Sequence, residues 1–173
     1  MKRLITLLIC VVLVMALASC GGSSTVASGL LDVFEKNADK SAQEIADLMI
    51  NDESIPFMGM TMPVEEGLLN GFGNEEITGF SEGVMFGPAI GTIPFIGYVF
   101  TLSSGTDADA FVKTLNDNAD LRWNICTEAD ELVVESKGDK VVVIMSPESF
   151  EDAESDVEDE VPVYGDEFVD TFE

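Results

Sequence analysis

The chain contains no histidine. That removes Ser-His-Asp and Cys-His nucleophilic systems, together with zinc sites that need imidazole. The residues that could still do chemistry are few. Gly79-Phe80-Ser81-Glu82-Gly83 has the G-x-S-x-G spacing of a nucleophile elbow, in which a strained turn exposes the serine. No base is present to take its proton, so Ser81 reads as part of a turn or strand irregularity. There is no Ser-x-x-Lys pair and no Walker or dinucleotide fingerprint. Cys126 is a candidate redox or acyl-transfer thiol, which would need a positive neighbour. Arg122 is the one cation nearby, set against Glu128, Asp130 and Glu131. Cys126 is therefore expected to be a small buried hydrophobe that resists alkylation until the protein unfolds.

Carboxylates pair at Glu65-Glu66, Glu75-Glu76 and Asp130-Glu131. Glycoside hydrolysis needs two carboxyls about 5–10 Å apart in a cleft, and a chain with 33 acids contains adjacent pairs by chance. Met58, Met60 and Met62 are soft donors, but core packing around Pro56 and Pro63 is the simpler expectation. Trp123, the single tryptophan, reads as a core-edge residue, with stacking on a carbohydrate or peptide as its functional alternative. Asp152 to Glu160 offers hard oxygens without the glycine and spaced glutamate of an EF-hand loop. The sequence thus assigns no catalytic, cofactor or metal residues.

One cysteine does have a chemical assignment. Lys2 and Arg3 precede Leu4 to Leu17, an apolar run broken only by Thr6. At about 14 residues the run fits a signal-peptide h-region and falls short of the roughly 20 needed to span a bilayer. It ends in Leu17-Ala18-Ser19-Cys20, similar to the lipobox of bacterial lipoproteins. Cleavage would fall before Cys20, whose thiol is the nucleophile that can take a diacylglyceryl group, and acyl chains of the palmitate class would hold the chain at a membrane. Cys10 leaves with the leader, so Cys126 has no intramolecular disulfide partner in the mature chain. Without Lys2 and Arg3, six bases face 33 acids, a formal charge of −27. Such a chain repels nucleic acid and is not drawn to anionic headgroups by charge.

The elements that must position these residues follow from periodicity. Residues 1–19 read as the leader and 20–28 as a Gly/Ser tether. A single domain is expected over 29–147 and an acidic disordered tail over 148–173, where twelve of 26 residues are acidic and none is basic. A helical stretch from about Leu30 to Ile50 breaks near Asp39. Its second half opens on Ser41 with Glu44 three residues on, a capping box, and places Ile45, Leu48 and Met49 on one face. Ile77 to Phe86 and Phe95 to Leu102 read as strands. Thr106 caps a helix with an apolar stripe of Ala108, Phe111, Val112, Leu115 and Ala119. Leu132 to Glu135 and Val141 to Met145 form a hairpin, the second strand apolar on both faces and hence mid-sheet. The fold class is α+β: a small antiparallel or mixed sheet of about four strands with helices packed on one face.

Four passages are similar to a family of small clostridial-type lipoproteins with a domain of unknown function. They are Ser41-Ala-Gln-Glu-Ile-Ala-Asp-Leu-Met, Tyr98-Val-Phe-Thr-Leu-Ser-Ser-Gly-Thr-Asp-Ala-Asp-Ala-Phe, Asn118-Ala-Asp-Leu-Arg-Trp-Asn-Ile-Cys-Thr-Glu-Ala and Gly138-Asp-Lys-Val-Val-Val-Ile-Met-Ser. In the third, the tryptophan lies one place from the family's Arg-Lys-Trp-Ile-Cys form. The resemblance spans Ser41 to Ser146, implies an extracytoplasmic compartment, and carries over no catalytic residue. The expected protein is a lipid-anchored extracytoplasmic lipoprotein at the cell membrane, a non-enzymatic binding or accessory module with an envelope protein as its partner. The alternatives are a thiol- or carboxylate-based enzyme and an acidic, cation-modulating envelope coat protein.

Overall fold

The computed structural model describes residues 25–150; the leader, Cys20, most of the tether and residues 151–173 lie outside the described residues. Helix α1 (Val26–Asn37) starts at Thr25, whose Oγ1 accepts from the Ser28 amide. The helix therefore takes in the last three residues assigned to the tether. It buries Val26, Ala27, Leu30 and Phe34, one stripe at helical spacing. Helix α2 (Ala42–Ile50) opens on the expected capping box, with Ser41 and Glu44 bonding reciprocally. Those bonds, the Ser41 hydroxyl first and its amide second, hold the Glu44 carboxyl below the usual carboxylate range. Ile45 and Met49 are buried as expected, whereas Leu48 is exposed.

Seven strands follow: β1 (Gly59–Val64), β2 (Gly67–Leu68), β3 (Glu76–Ile77), β4 (Phe80–Pro88), β5 (Ile96–Leu102), β6 (Glu131–Lys137) and β7 (Lys140–Ser146). Helix α3 (Ala108–Asn118) joins β5 to β6. Five strands form one sheet in the order β1-β4-β5-β7-β6, every pair antiparallel. The small ribbon β2-β3 stands apart. This is the α+β class read from the sequence, with β1 as a fifth strand. β1 escapes sequence reading because it is built from glycine, methionine and proline rather than β-branched residues. Pro63 is tolerated because β1 is an edge. β7 is fully buried between β5 and β6, as its two-faced apolar run requires.

Alternation along β5 and β7 sorts the core into two layers. Val99, Val142 and Ile144 face α1 and α2, which supply the expected helical layer. Tyr98, Phe100, Val141, Val143 and Met145 face the other way, where α3 contributes Phe111 and Leu115 and the β2–β3 segment contributes Phe72 and Ile77. Helix α3 is capped by Asp107, one residue after Thr106, whose hydroxyl instead donates to the Gly79 carbonyl. Glu148 and Phe150 belong to the domain rather than to the tail. The Glu148 carbonyl accepts from the Val26 amide at 3.2 Å, and the Phe150 ring packs on Phe57 and Phe95. Among the described residues no helix is long and apolar enough to cross a membrane.

Candidate binding cleft and methionine edge

Several sequence candidates have structural roles. Ser81 lies on β4, where the register shifts between Phe80 and Glu82, and its hydroxyl donates to the Thr101 carbonyl. The G-x-S-x-G match is therefore a strand irregularity, as read from the sequence. Glu66 accepts from the Gly79 and Phe80 amides at 2.6 and 3.3 Å, tying β4 to the turn before β2. Asp130 accepts from the Glu148 amide. Glu75 and Glu76 are exposed. Among the described residues no group of three or more acidic or thiol side chains is placed to hold a metal.

Two expectations are overturned. Cys126 is exposed, not buried, and its neighbour Ile125 is 93% exposed. The loop between α3 and β6 packs inward through Leu121, Trp123 and Ala129, which lifts Ile125 and Cys126 into solvent. Arg122 pairs with Glu128 at 3.5 Å. Met58, Met60 and Met62 are not core residues either; Met58 is 72% and Met62 45% exposed. They lie on the edge strand or just before it, and alternation places all three on one sheet face.

That face leads into a cleft of about 250 Å³ at one end of the sheet. Met62 is paired with Met85 and Met60 with Gly87, and both β4 partners line the cleft. Ile93 and Phe95 from the β4–β5 loop, Trp123 and Asn124 from the α3–β6 loop, and Asn70 are among its other lining residues. Trp123 is half-buried at the core edge, as expected from the sequence, and lines the cleft. Asn70 is held by its carbonyl, which accepts from the buried Tyr98 hydroxyl at 2.7 Å. Burial pushes the Tyr98 phenol well above its ordinary range.

None of the lining side chains is an acid, a base or a nucleophile. The cleft offers an indole on which a flat group can stack and two side-chain amides that can orient it. It is somewhat smaller than the roughly 300–1,000 Å³ of small-ligand pockets, so it suits one anchoring side chain. Sequence reasoning named Trp123 and the methionines but missed that they share a surface. Register alone joins them, through β4. The fold and site thus define an antiparallel α+β domain with an open cleft of mixed polar and apolar lining at one end of the sheet. No protein-family model matches the chain, and no characterised protein or solved structure is significantly similar to it.

Proposed function

We propose that this chain is a lipid-anchored lipoprotein of the extracytoplasmic membrane face, acting as a non-enzymatic binding module. The observation that carries the binding reading is the exposed run Met58, Met60 and Met62 beside the Trp123 cleft. Large apolar side chains that share a surface mark contact sites, and methionine adapts to varied partners. The anchor rests on Leu17-Ala18-Ser19-Cys20 and the leader before it. The partner is an envelope protein. An enzymatic reading has less support, because the cleft lining offers no titratable group.

The test is made in intact cells. A photo-crosslinking side chain at position 60 is expected to trap one defined protein, identified by mass spectrometry, while the same probe at exposed Glu75 traps none. Equal, diffuse adducts from both positions would refute the contact surface. Cys20→Ala is expected to leave an uncleaved precursor or release the protein from membranes. Unchanged detergent-phase partitioning of that variant would refute the anchor.

A further inference from the structure

The edge formed by β1 allows the partner's chemistry to be read further; this step rests on the binding-module reading above. β1 has a neighbour, β4, on one side only. The Ala89 amide donates to the Met58 carbonyl, and these residues lie opposite one another in the β1–β4 register. In an antiparallel ladder bonded and non-bonded pairs alternate. Met60 and Met62 therefore bond β4, while Gly59, Thr61 and Pro63 turn their backbone groups outward. Two amides and three carbonyls are presented to solvent, and Pro63 lacks its amide on the outward side. Among the described residues none of these outward groups has a partner.

The two edges of the sheet differ. β6 carries Glu131, Glu135 and Lys137, the charged decoration that keeps an edge from pairing. β1, Gly-Met-Thr-Met-Pro-Val, carries no charge. Its two faces also differ. On one lie Met60 and Met62, continuous with the Trp123 cleft. On the other, α2 approaches so closely that a Cβ on Gly59 would meet the Ile50 side chain at 2.1 Å. That approach brings the exposed Asp47 over the strand, where its Oδ1 accepts from Thr61 Oγ1 at 2.8 Å and from Gln43. Glu44 lies one turn back along α2, with Lys40 the nearby base. The six bases in 25–150 stand against 22 acids; four form ion pairs, Lys137 bonds the Glu35 carbonyl and Lys40 lies near Glu44, so most of the acids have no cation to face.

From this juxtaposition we infer that β1 accepts an extended, basic segment of a partner protein as a sixth strand. Its apolar side chains alternate with lysine or arginine. The apolar set lies against Met60 and Met62 and anchors in the cleft; the basic set lies on the α2 side near Asp47. Main-chain bonds to Gly59, Thr61 and Pro63 fix the register. A second copy of this chain is disfavoured as occupant because both partners would carry the same large negative charge, and an anionic membrane is disfavoured for the same reason.

The test uses the full chain and a labelled peptide alternating lysine and leucine. Fluorescence anisotropy is expected to show binding that weakens with salt, and hydrogen exchange should show slowed Gly59 and Thr61 amides. Thr61→Pro removes one outward amide without touching the β1–β4 ladder, and its binding is expected to be weaker by about tenfold or more than that of Thr61→Val, which likewise lacks the hydroxyl bonded to Asp47 but keeps the amide. Asp47→Asn keeps the hydrogen-bonding shape and is expected to reduce both affinity and salt dependence. Near-ultraviolet circular dichroism of Trp123 checks that each variant is folded. Equal binding of a glutamate–leucine peptide, or unchanged exchange at Gly59 and Thr61, would overturn the inference. So would a dimer in sedimentation, or methionine-dependent binding to anionic vesicles that Thr61→Pro leaves intact. If the position-60 crosslink persists while the lysine–leucine peptide fails to bind, the binding module stands and the basic-strand partner falls.

Discussion

Gly97 is the second residue of β5, opposite Phe86 in the sheet, and it is the position where one added carbon should do most harm. A Cβ there would lie 2.1, 2.5 and 2.5 Å from three carbons of the Phe86 ring. Carbon atoms in contact sit about 3.5–4.0 Å apart, so the ring would have to retreat by about 1.5 Å. It has nowhere to go: Phe86 is fully buried, with the Phe95 ring centred 5.9 Å from its own. Overpacking of this kind costs about 1–3 kcal/mol, and the size of the overlap puts Gly97→Ala near the top of that range. Against it stands a gain of about 0.5–1 kcal/mol, because alanine loses less backbone freedom on folding. The net expectation is a loss of about 2 kcal/mol, dominated by the steric term. Urea denaturation followed by Trp123 fluorescence measures it; with a slope of 1–3 kcal/mol/M the midpoint should fall by roughly 1 M. Shrinking the ring should rescue the variant, so Phe86→Leu and Gly97→Ala together should lose at least about 0.5 kcal/mol less than the two losses added. A single variant within about 0.5 kcal/mol of wild type, or strict additivity in the cycle, would refute this account of the glycine.

Cys126 is expected to alkylate in the folded protein about as readily as in urea, and Cys126→Ala should shift stability by less than about 0.5 kcal/mol; protection from iodoacetamide would contradict its exposure. Phe150→Ala should cost about 1–2 kcal/mol through the lost contacts with Phe57 and Phe95, whereas removing residues 151–173 should leave the urea midpoint unchanged. Tyr98→Phe should cost about 1 kcal/mol through the bond to the Asn70 carbonyl. Because burial raises the Tyr98 phenol above its unfolded value, its contribution is present below that value of about 10 and is lost as pH rises beyond it. Wild-type midpoints should therefore fall more steeply than those of Tyr98→Phe above about pH 10.

The sequence by itself determined what depends on neighbours along the chain. Ser41 and Glu44 lie three residues apart, so their reciprocal cap can be read directly, as can the stripe from Phe111 to Leu115 and the two-faced apolar run of β7. The α+β class follows from those elements. Tertiary structure decided what depends on register between distant strands. Pairing of β1 with β4 makes an edge of a methionine- and proline-rich segment that has no strand propensity of its own. The same register sets Met60 and Met62 beside Gly87 and Met85 and so joins them to Trp123, 61 residues beyond Met62. Cys126 marks the same divide from the other side. Its local sequence is apolar enough for a core, but Trp123 and Ala129 turn inward on either side, and the loop between them has no interior left to enter.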